Sequence, residues 1–180
     1  MVDVVLETER LILRKPVMED VEEMSKYNER EEFGRYLPFD ETNKELTREF
    51  VKKIVEENSV PEILRYHFIL IEKGTNKFLG DISLHIKDKN AHKANFGYGL
   101  NPTCWGKGYM TEALKVLIKF GFEELKLKKI WADVDPCNIG SWRVMEKCGM
   151  QREGLHRCDR FIRGKYCDSY YYSILDTDLV

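Results

Sequence analysis

One stretch of the chain has the residue types and spacing to hold a phosphate: Asn101-Pro-Thr-Cys-Trp-Gly-Lys-Gly-Tyr-Met-Thr-Glu-Ala113. A β-rich run ends at Leu100, a glycine-rich turn follows, and a helical pattern begins after Gly108. Glycines let backbone amides approach an anion closely. The first turn of a helix adds unpaired N–H groups and about half a positive charge. Lys107 supplies a mobile cation, and a diphosphate suits the ensemble. A tight strand-to-helix turn that merely needs two glycines is the competing reading, and Gly-x-Gly alone does not separate them. The stretch is not GxxxxGK[ST]. It also lacks the third glycine and the early βαβ unit of a dinucleotide fingerprint.

A second stretch, Asp135-Pro-Cys-Asn-Ile-Gly-Ser-Trp-Arg-Val-Met-Glu-Lys-Cys-Gly-Met150, joins a short strand to a short helix. The Asn138 amide can both donate and accept along an extended amide-bearing ligand. Ser141 stands near the helix start, where a helix cap and a chemical role are both open to it. Asp81, His85, Glu153, His156 and Asp159 fall on strands placed near the same region and are the candidates for a general base, with a water relay as the alternative. The histidines at 67, 85, 92 and 156 have no metal-ligand spacing, so no metal is expected. The five cysteines are odd in number and form no CxxC pair, which argues against a disulfide framework or zinc ribbon and for reduced thiols.

The elements that must position these residues follow from periodicity. Arg10–Arg14 reads as a strand, Val17 to about Arg30 as a helix, and Thr42-Asn-Lys-Glu45 as a capping box opening a helix with Leu46, Phe50, Val51, Ile54 and Val55. Tyr66–Ile71, Phe78–Ile86 and Ala94–Leu100 form an antiparallel meander. A long helix runs to about Lys126, a strand covers Lys129–Val134, and a helix covers Ser141–Cys148. Met150–Asp159 and Tyr166–Leu175 close as a hairpin. This is a mixed sheet with helices on its faces, α/β or α+β.

The 180 residues carry 29 basic and 31 acidic side chains, a net charge of −2, with 43% hydrophobic and 33% charged residues. That composition suits one folded domain over 1–180 with its own core. It excludes a general nucleic-acid binder, which would carry a basic excess. The N-terminus has acids where a secretory signal has lysines, and no apolar run nears the ~20 residues of a membrane span. A cytoplasmic protein without nucleic-acid or membrane partners is expected.

The two motifs together resemble the GNAT N-acetyltransferase superfamily over about residues 8–176. Thr8-Glu-Arg-Leu-Ile-Leu-Arg14, Trp105-Gly-Lys-Gly-Tyr-Met-Thr-Glu-Ala113, Pro136-x-Asn138-x-x-Ser141 and Glu146-Lys-x-Gly149 resemble its RimJ/RimL-like branch of ribosomal-protein N-terminal acetyltransferases. The resemblance implies a mixed, mostly antiparallel seven-stranded sheet with splayed central strands and about four helices. It implies acetyl-CoA in a V-shaped gap between the strand ending at Leu100 and Lys129–Val134. There the amides of Gly106, Lys107, Gly108 and Tyr109 would hold the pyrophosphate. Leu100 would pair with pantetheine and Asn138 would bond its amide. Tyr98, Trp105 and Trp142 are candidates to line the cleft, with core packing as the alternative, and Arg143 and Lys147 are candidates for the CoA 3′-phosphate.

Two positions depart from the superfamily pattern. Thr103 stands where Gln or Arg is frequent, which backbone binding of an anion tolerates. Met145 stands where a tyrosine often serves as acid, so Ser141 becomes the first candidate to assist the leaving thiolate, with Cys148 second. The implied reaction is direct acetyl transfer to a primary amine in a ternary complex. A protein N-terminal amine is the favoured acceptor, and a polyamine, antibiotic or other small amine the alternative. A non-catalytic acyl-CoA-binding module is the reading from a different class. Related proteins form homodimers, so one is an expectation here.

Overall fold

The computed structural model describes residues 4–36, 43–60 and 64–178. In chain order the elements are β1 (Leu6–Glu7), β2 (Leu11–Arg14), α1 (Asp20–Asn28), α2 (Glu31–Gly34), α3 (Lys44–Glu57), β3 (Arg65–Glu72), β4 (Phe78–Asp88), β5 (Lys93–Leu100), α4 (Tyr109–Glu123), β6 (Lys129–Val134), α5 (Ile139–Lys147), β7 (Gln151–Ile162) and β8 (Lys165–Leu175). The strands form one sheet in the order β1-β2-β3-β4-β5-β6-β8-β7. Every neighbouring pair is antiparallel except β5–β6, which are parallel because α4 carries the chain back across the sheet.

Strand alternation divides the apolar side chains between two cores. Leu11, Leu13, Phe68, Leu70, Ile82, Leu84, Ile130, Tyr172 and Ile174 pack against Ala113, Leu114, Leu117 and Ile118 of α4 and Met145 of α5. On the opposite face a smaller cluster joins Val21, Met24 and Tyr27 of α1 to Val51 of α3, Ile69 and Phe78. That second cover lies on the β3–β4 side. Farther across the same face, the registers set Asn95, Gly97 and Gly99 of β5 beside Trp131 and Asp133 of β6 and Tyr171 of β8.

The expected mixed α/β sheet is present, with eight strands and five helices among the described residues rather than seven and about four. The additions are β1, two residues paired as Leu6↔Leu13 and Glu7↔Ile12, and the four-residue α2. Both are too short to show periodicity. The helix expected after Thr42 is α3, capped by Asn43, whose Oδ1 accepts from the Leu46 N–H at 2.9 Å; Thr42 lies outside the described residues. Leu46 and Phe50 were expected among the helix's apolar set but are exposed, and Thr47, Val51 and Ile54 form the buried stripe.

At Gly80 of β4 an added Cβ would lie 2.2 Å from the Gly99 carbonyl oxygen and 2.9 Å from the Leu100 Cα of β5. Backbone cannot retreat as a flexible side chain can. Gly80→Ala is therefore expected to lower stability by about 3 kcal/mol, at the upper end of overpacking costs. Urea denaturation followed by circular dichroism measures this, and a loss within the ordinary surface range would remove the close-approach argument.

Candidate active site

β5 and β6 pair at only three positions, Lys93↔Lys129, Ala94↔Ile130 and Asn95↔Trp131. Beyond Asn95 the two strands separate, while β5 stays paired to β4 as far as Leu100 and β6 to β8 as far as Val134. The Asn101 N–H donates to the Leu79 carbonyl at 2.8 Å, which fixes the alternation along β5. The main-chain groups of Gly97 and Gly99 are turned toward β4, and those of Phe96, Tyr98 and Leu100 toward the gap. The Leu100 carbonyl is taken by Trp105 Nε1 at 2.8 Å, which leaves its N–H facing the gap. The expected V is thus an interior strand edge left without a neighbour.

The glycine turn closes the end of this gap. Asn101 Oδ1 accepts from the Thr103 N–H at 3.1 Å and from its hydroxyl at 3.0 Å, so Thr103 serves the turn itself. Gly106 and Gly108 have φ of 74° and 81°, the left-handed region that a Cβ disfavours. The first N–H of α4 with an intrahelical acceptor is that of Glu112, on the Gly108 carbonyl at 3.1 Å. Among the described residues, the amides from Gly106 to Thr111 have no hydrogen-bond acceptor.

A clamp from β1–β2 sets the turn. The Arg10 main-chain N–H donates to Glu112 Oε1 at 2.9 Å and Arg10 Nε to Oε2 at 2.7 Å, while the Thr8 hydroxyl donates to Oε1. Arg10 Nη1 also reaches the Lys107 carbonyl at 3.1 Å, and its guanidinium covers the Tyr109 ring at 4.5 Å. The Tyr109 hydroxyl in turn bonds the Glu72 carboxylate. Burial alone would raise the Glu112 carboxyl, but the bonds from Thr8 and Arg10 outweigh it and hold it below the ordinary carboxylate value. Beside the turn lies an open pocket of about 360 Å³ lined by Glu9, Gly108, Thr111, Glu112, Lys115 and Lys147. Lys147 therefore faces the turn. Arg143 instead lies 5.6 Å over the Trp142 ring.

At the start of α5, of the two roles open to Ser141, the helix cap is taken by another residue. Asn138 is the cap, its Oδ1 accepting from the Ser141 N–H at 3.3 Å. The Ser141 hydroxyl pairs instead with the Tyr98 hydroxyl at 2.8 Å, and Tyr98 also reaches the Ser141 carbonyl at 3.1 Å. This pair moors α5 to the separated part of β5. Burial pushes the Tyr98 phenol well above its usual range, so it stays protonated. Trp142 Nε1 donates to the Pro136 carbonyl at 3.2 Å and stiffens the loop. Met145 is buried in the larger core. The Cys148 thiol, pushed up to about 12 by burial, remains neutral.

The base candidates divide. Asp81 Oδ1 accepts from the Tyr27 hydroxyl at 2.8 Å and Oδ2 lies 3.0 Å from His67 Nε2, beside Gly99 and under Phe33 of α2. His85 bonds the Ser83 hydroxyl at 2.9 Å; burial, with Arg65, Lys87 and His67, lowers it to about 3 and keeps it neutral. Glu153 is engaged by Lys129 and Ser173, each at 2.6 Å, and sits below its ordinary value. His156 stacks on Tyr171 at 4.0 Å and lies 3.9 Å from Asp159. Two contacts tie down the α2 region. The Tyr36 hydroxyl donates to the Cys137 carbonyl at 3.1 Å, and Arg163 Nη2 to the Gly34 carbonyl at 2.8 Å. Neither these ties nor the Thr8–Arg10–Glu112 clamp is visible to periodicity; the opening motif Thr8-Glu-Arg10 was the only signal for the clamp. Among the described residues no three His, Cys, Asp or Glu side chains gather as a metal site. No helix there is long and apolar enough to cross a membrane.

The sequence profile of the GNAT acetyltransferase domain matches residues 10–151. The chain belongs to the GNAT acetyltransferase family. It is 32% identical over 173 residues to the N-acetyltransferase p20 of Bacillus licheniformis, covering 94% of this chain and 95% of that one. A GNAT-family acetyltransferase structure from Bacillus anthracis superposes with a TM-score of 0.86 at 34% identity, covering 97% of this chain and 99% of that one. The ribosomal-protein-S5-alanine acetyltransferase of Vibrio fischeri superposes with a TM-score of 0.84 at 25% identity, covering 99% and 100%. The protein is accordingly an acetyl-CoA-dependent N-acetyltransferase.

The depressed Glu112 carboxyl makes the clamp acid-sensitive. A carboxyl lowered on folding contributes stability above its unfolded value, and that contribution is lost as pH falls through its folded value. Glu112→Gln is expected to flatten the fall in melting temperature on the acid side of the unperturbed 4.5, relative to wild type. Parallel acid limbs in thermal melts of the two proteins would show that the clamp carries no such linkage.

Proposed function

We propose that this enzyme acetylates protein N-terminal amines of the ribosomal-protein type, by direct transfer in a ternary complex. The observation that carries the reading is the run of acceptor-free amides from Gly106 to Thr111 at the end of an unpaired strand edge. Donors so arranged fit a diphosphate followed by an amide-containing arm. When bound, acetyl-CoA supplies the acetyl group as a thioester.

The chain's own residues divide the work. The amides of Gly106, Lys107, Gly108 and Tyr109, with the Lys107 ammonium, bind the diphosphate. Trp105 holds the Leu100 carbonyl so that the Leu100 N–H pairs with the arm. Asn138 spends its oxygen as a cap, so its amide nitrogen is the group offered to the ligand. A main-chain N–H of β5 facing the gap polarises the thioester oxygen. Ser141, held by Tyr98, would be the residue to give the leaving sulfur a hydrogen bond or a proton. A thiol with a pKa near 8.5 needs only such modest help. An α-amine, at about 8, is far more often free at neutral pH than a lysine amine at about 10.4. That difference and the likeness to the Vibrio fischeri enzyme favour an N-terminal acceptor.

Thiol release with acetyl-CoA and a panel of peptides and small amines tests the acceptor. Turnover on peptide α-amines is expected, and turnover confined to polyamines or antibiotics would overturn the assignment. Gly108→Val forces a β-branched residue to positive φ and is expected to weaken CoA binding by at least about a thousandfold, about 4 kcal/mol, which exceeds the about 1–3 kcal/mol it costs in stability. Equal losses in both would favour a purely structural turn. Ser141→Ala is expected to lower kcat by about 10²-fold with CoA affinity retained; an unchanged kcat would remove Ser141 from the chemistry.

A further inference from the structure

Asp133 lies two residues beyond Trp131, the last β6 residue paired with β5, and on the same sheet face as Gly97 and Gly99. It therefore stands on the acceptor side of the separated strands. Arg160 reaches it from β7, past the irregular segment between His156 and Arg160 where Cys158 has a φ of 52°. The Arg160 Nη1 to Asp133 Oδ2 distance is 3.5 Å, with the side chains 23% and 29% exposed. That is long for a charge-assisted hydrogen bond, which closes to about 2.7–2.9 Å.

The remaining guanidinium donors are the informative ones. Arg160 Nε and Nη2 are both shielded from solvent, and neither has an acceptor among the described residues. These two nitrogens share one edge of the guanidinium, the edge that grips a carboxylate through two parallel bonds. A buried, fixed fork left empty is costly to maintain, and an incoming carboxylate removes that cost. Asp133, loosely held beside it, presents the opposite charge. A carboxylate at arginine and an ammonium at aspartate, side by side, describe an acceptor with both groups close together.

We propose that Arg160 and Asp133 select an acceptor amine with a carboxylate close by, the carboxylate seated on the Nε–Nη2 edge of Arg160 and the amine drawn in as an ammonium by Asp133, to react once its proton has passed to solvent. This rests on the acetyltransferase reading and narrows its acceptor. The carboxylate has two sources, the side chain of an N-terminal Asp or Glu in a peptide, or the α-carboxylate of a free amino acid.

The test uses the intact protein with acetyl-CoA and matched acceptor pairs, following thiol release. Peptides beginning with Asp and Asn, or Glu and Gln, probe the first source; free amino acids and their α-amides probe the second. The carboxylate member is expected to exceed its amide in kcat/KM by at least about tenfold in one set, which identifies the source. Arg160→Gln is expected to bring that ratio close to one, and Arg160→Lys to keep part of it. A packing role alone would lower both members of a pair equally. A wild-type ratio near one in both sets, or a ratio unchanged in R160Q, overturns the proposal while leaving the acetyltransferase reading intact. Absence of thiol release with every acceptor overturns both. Should R160Q not fold, the wild-type ratio and R160K decide.

Discussion

The site depends on a ladder that stops early. Parallel pairing between β5 and β6 ends at Asn95↔Trp131, yet both strands continue, each held by its outer neighbour. Main-chain polar groups withdrawn from water require partners, so an interior edge is retained in a fold only where something satisfies it. Here the Trp105 indole satisfies the Leu100 carbonyl, and the Tyr98–Ser141 pair fastens α5 alongside the opening. The rest of the edge is available to a ligand that can imitate a strand.

The two faces of the sheet are built for different tasks. One carries the larger core beneath α4 and α5, which fixes the turn and the Ser141 end of α5 to a rigid floor. The other is covered by α1 and α3 only in part and then gives way to Asn95, Gly97 and Gly99. Gly99 there makes room for the Phe33 ring of α2, which an added Cβ would meet at 2.9 Å. The Tyr36–Cys137 and Arg163–Gly34 bonds join the α2 region to segments distant in sequence.

Much of this was legible in the sequence because it is local. The strand–turn–helix signature at 101–113, the helical spacing of α4 and the alternation of β4 each depend on neighbours a few residues apart, and each element appears where expected. What depended on distant partners was not legible. Ser141 leaves a helix cap and a chemical role open until the Tyr98 hydroxyl is set beside it, and nothing local shows that the Asn138 oxygen turns back to the Ser141 N–H. Asp81 reads as a surface base until Tyr27 and His67 enclose it. The pairing of Leu6–Glu7 with β2 is two residues long, below any periodic signal. Family resemblance located the turn but was silent on what steadies it.

The clamp that steadies the turn joins residues about a hundred positions apart, Thr8 and Arg10 to Glu112. Closing so long a loop is entropically slow, and it proceeds only when intervening contacts have already shortened the distance. The helix α4 has the local pattern to form early. The clamp on its N-terminus, by contrast, needs the first two strands docked on the sheet. The turn ahead of α4 is therefore held by contacts of long sequence separation, not by its own neighbours alone.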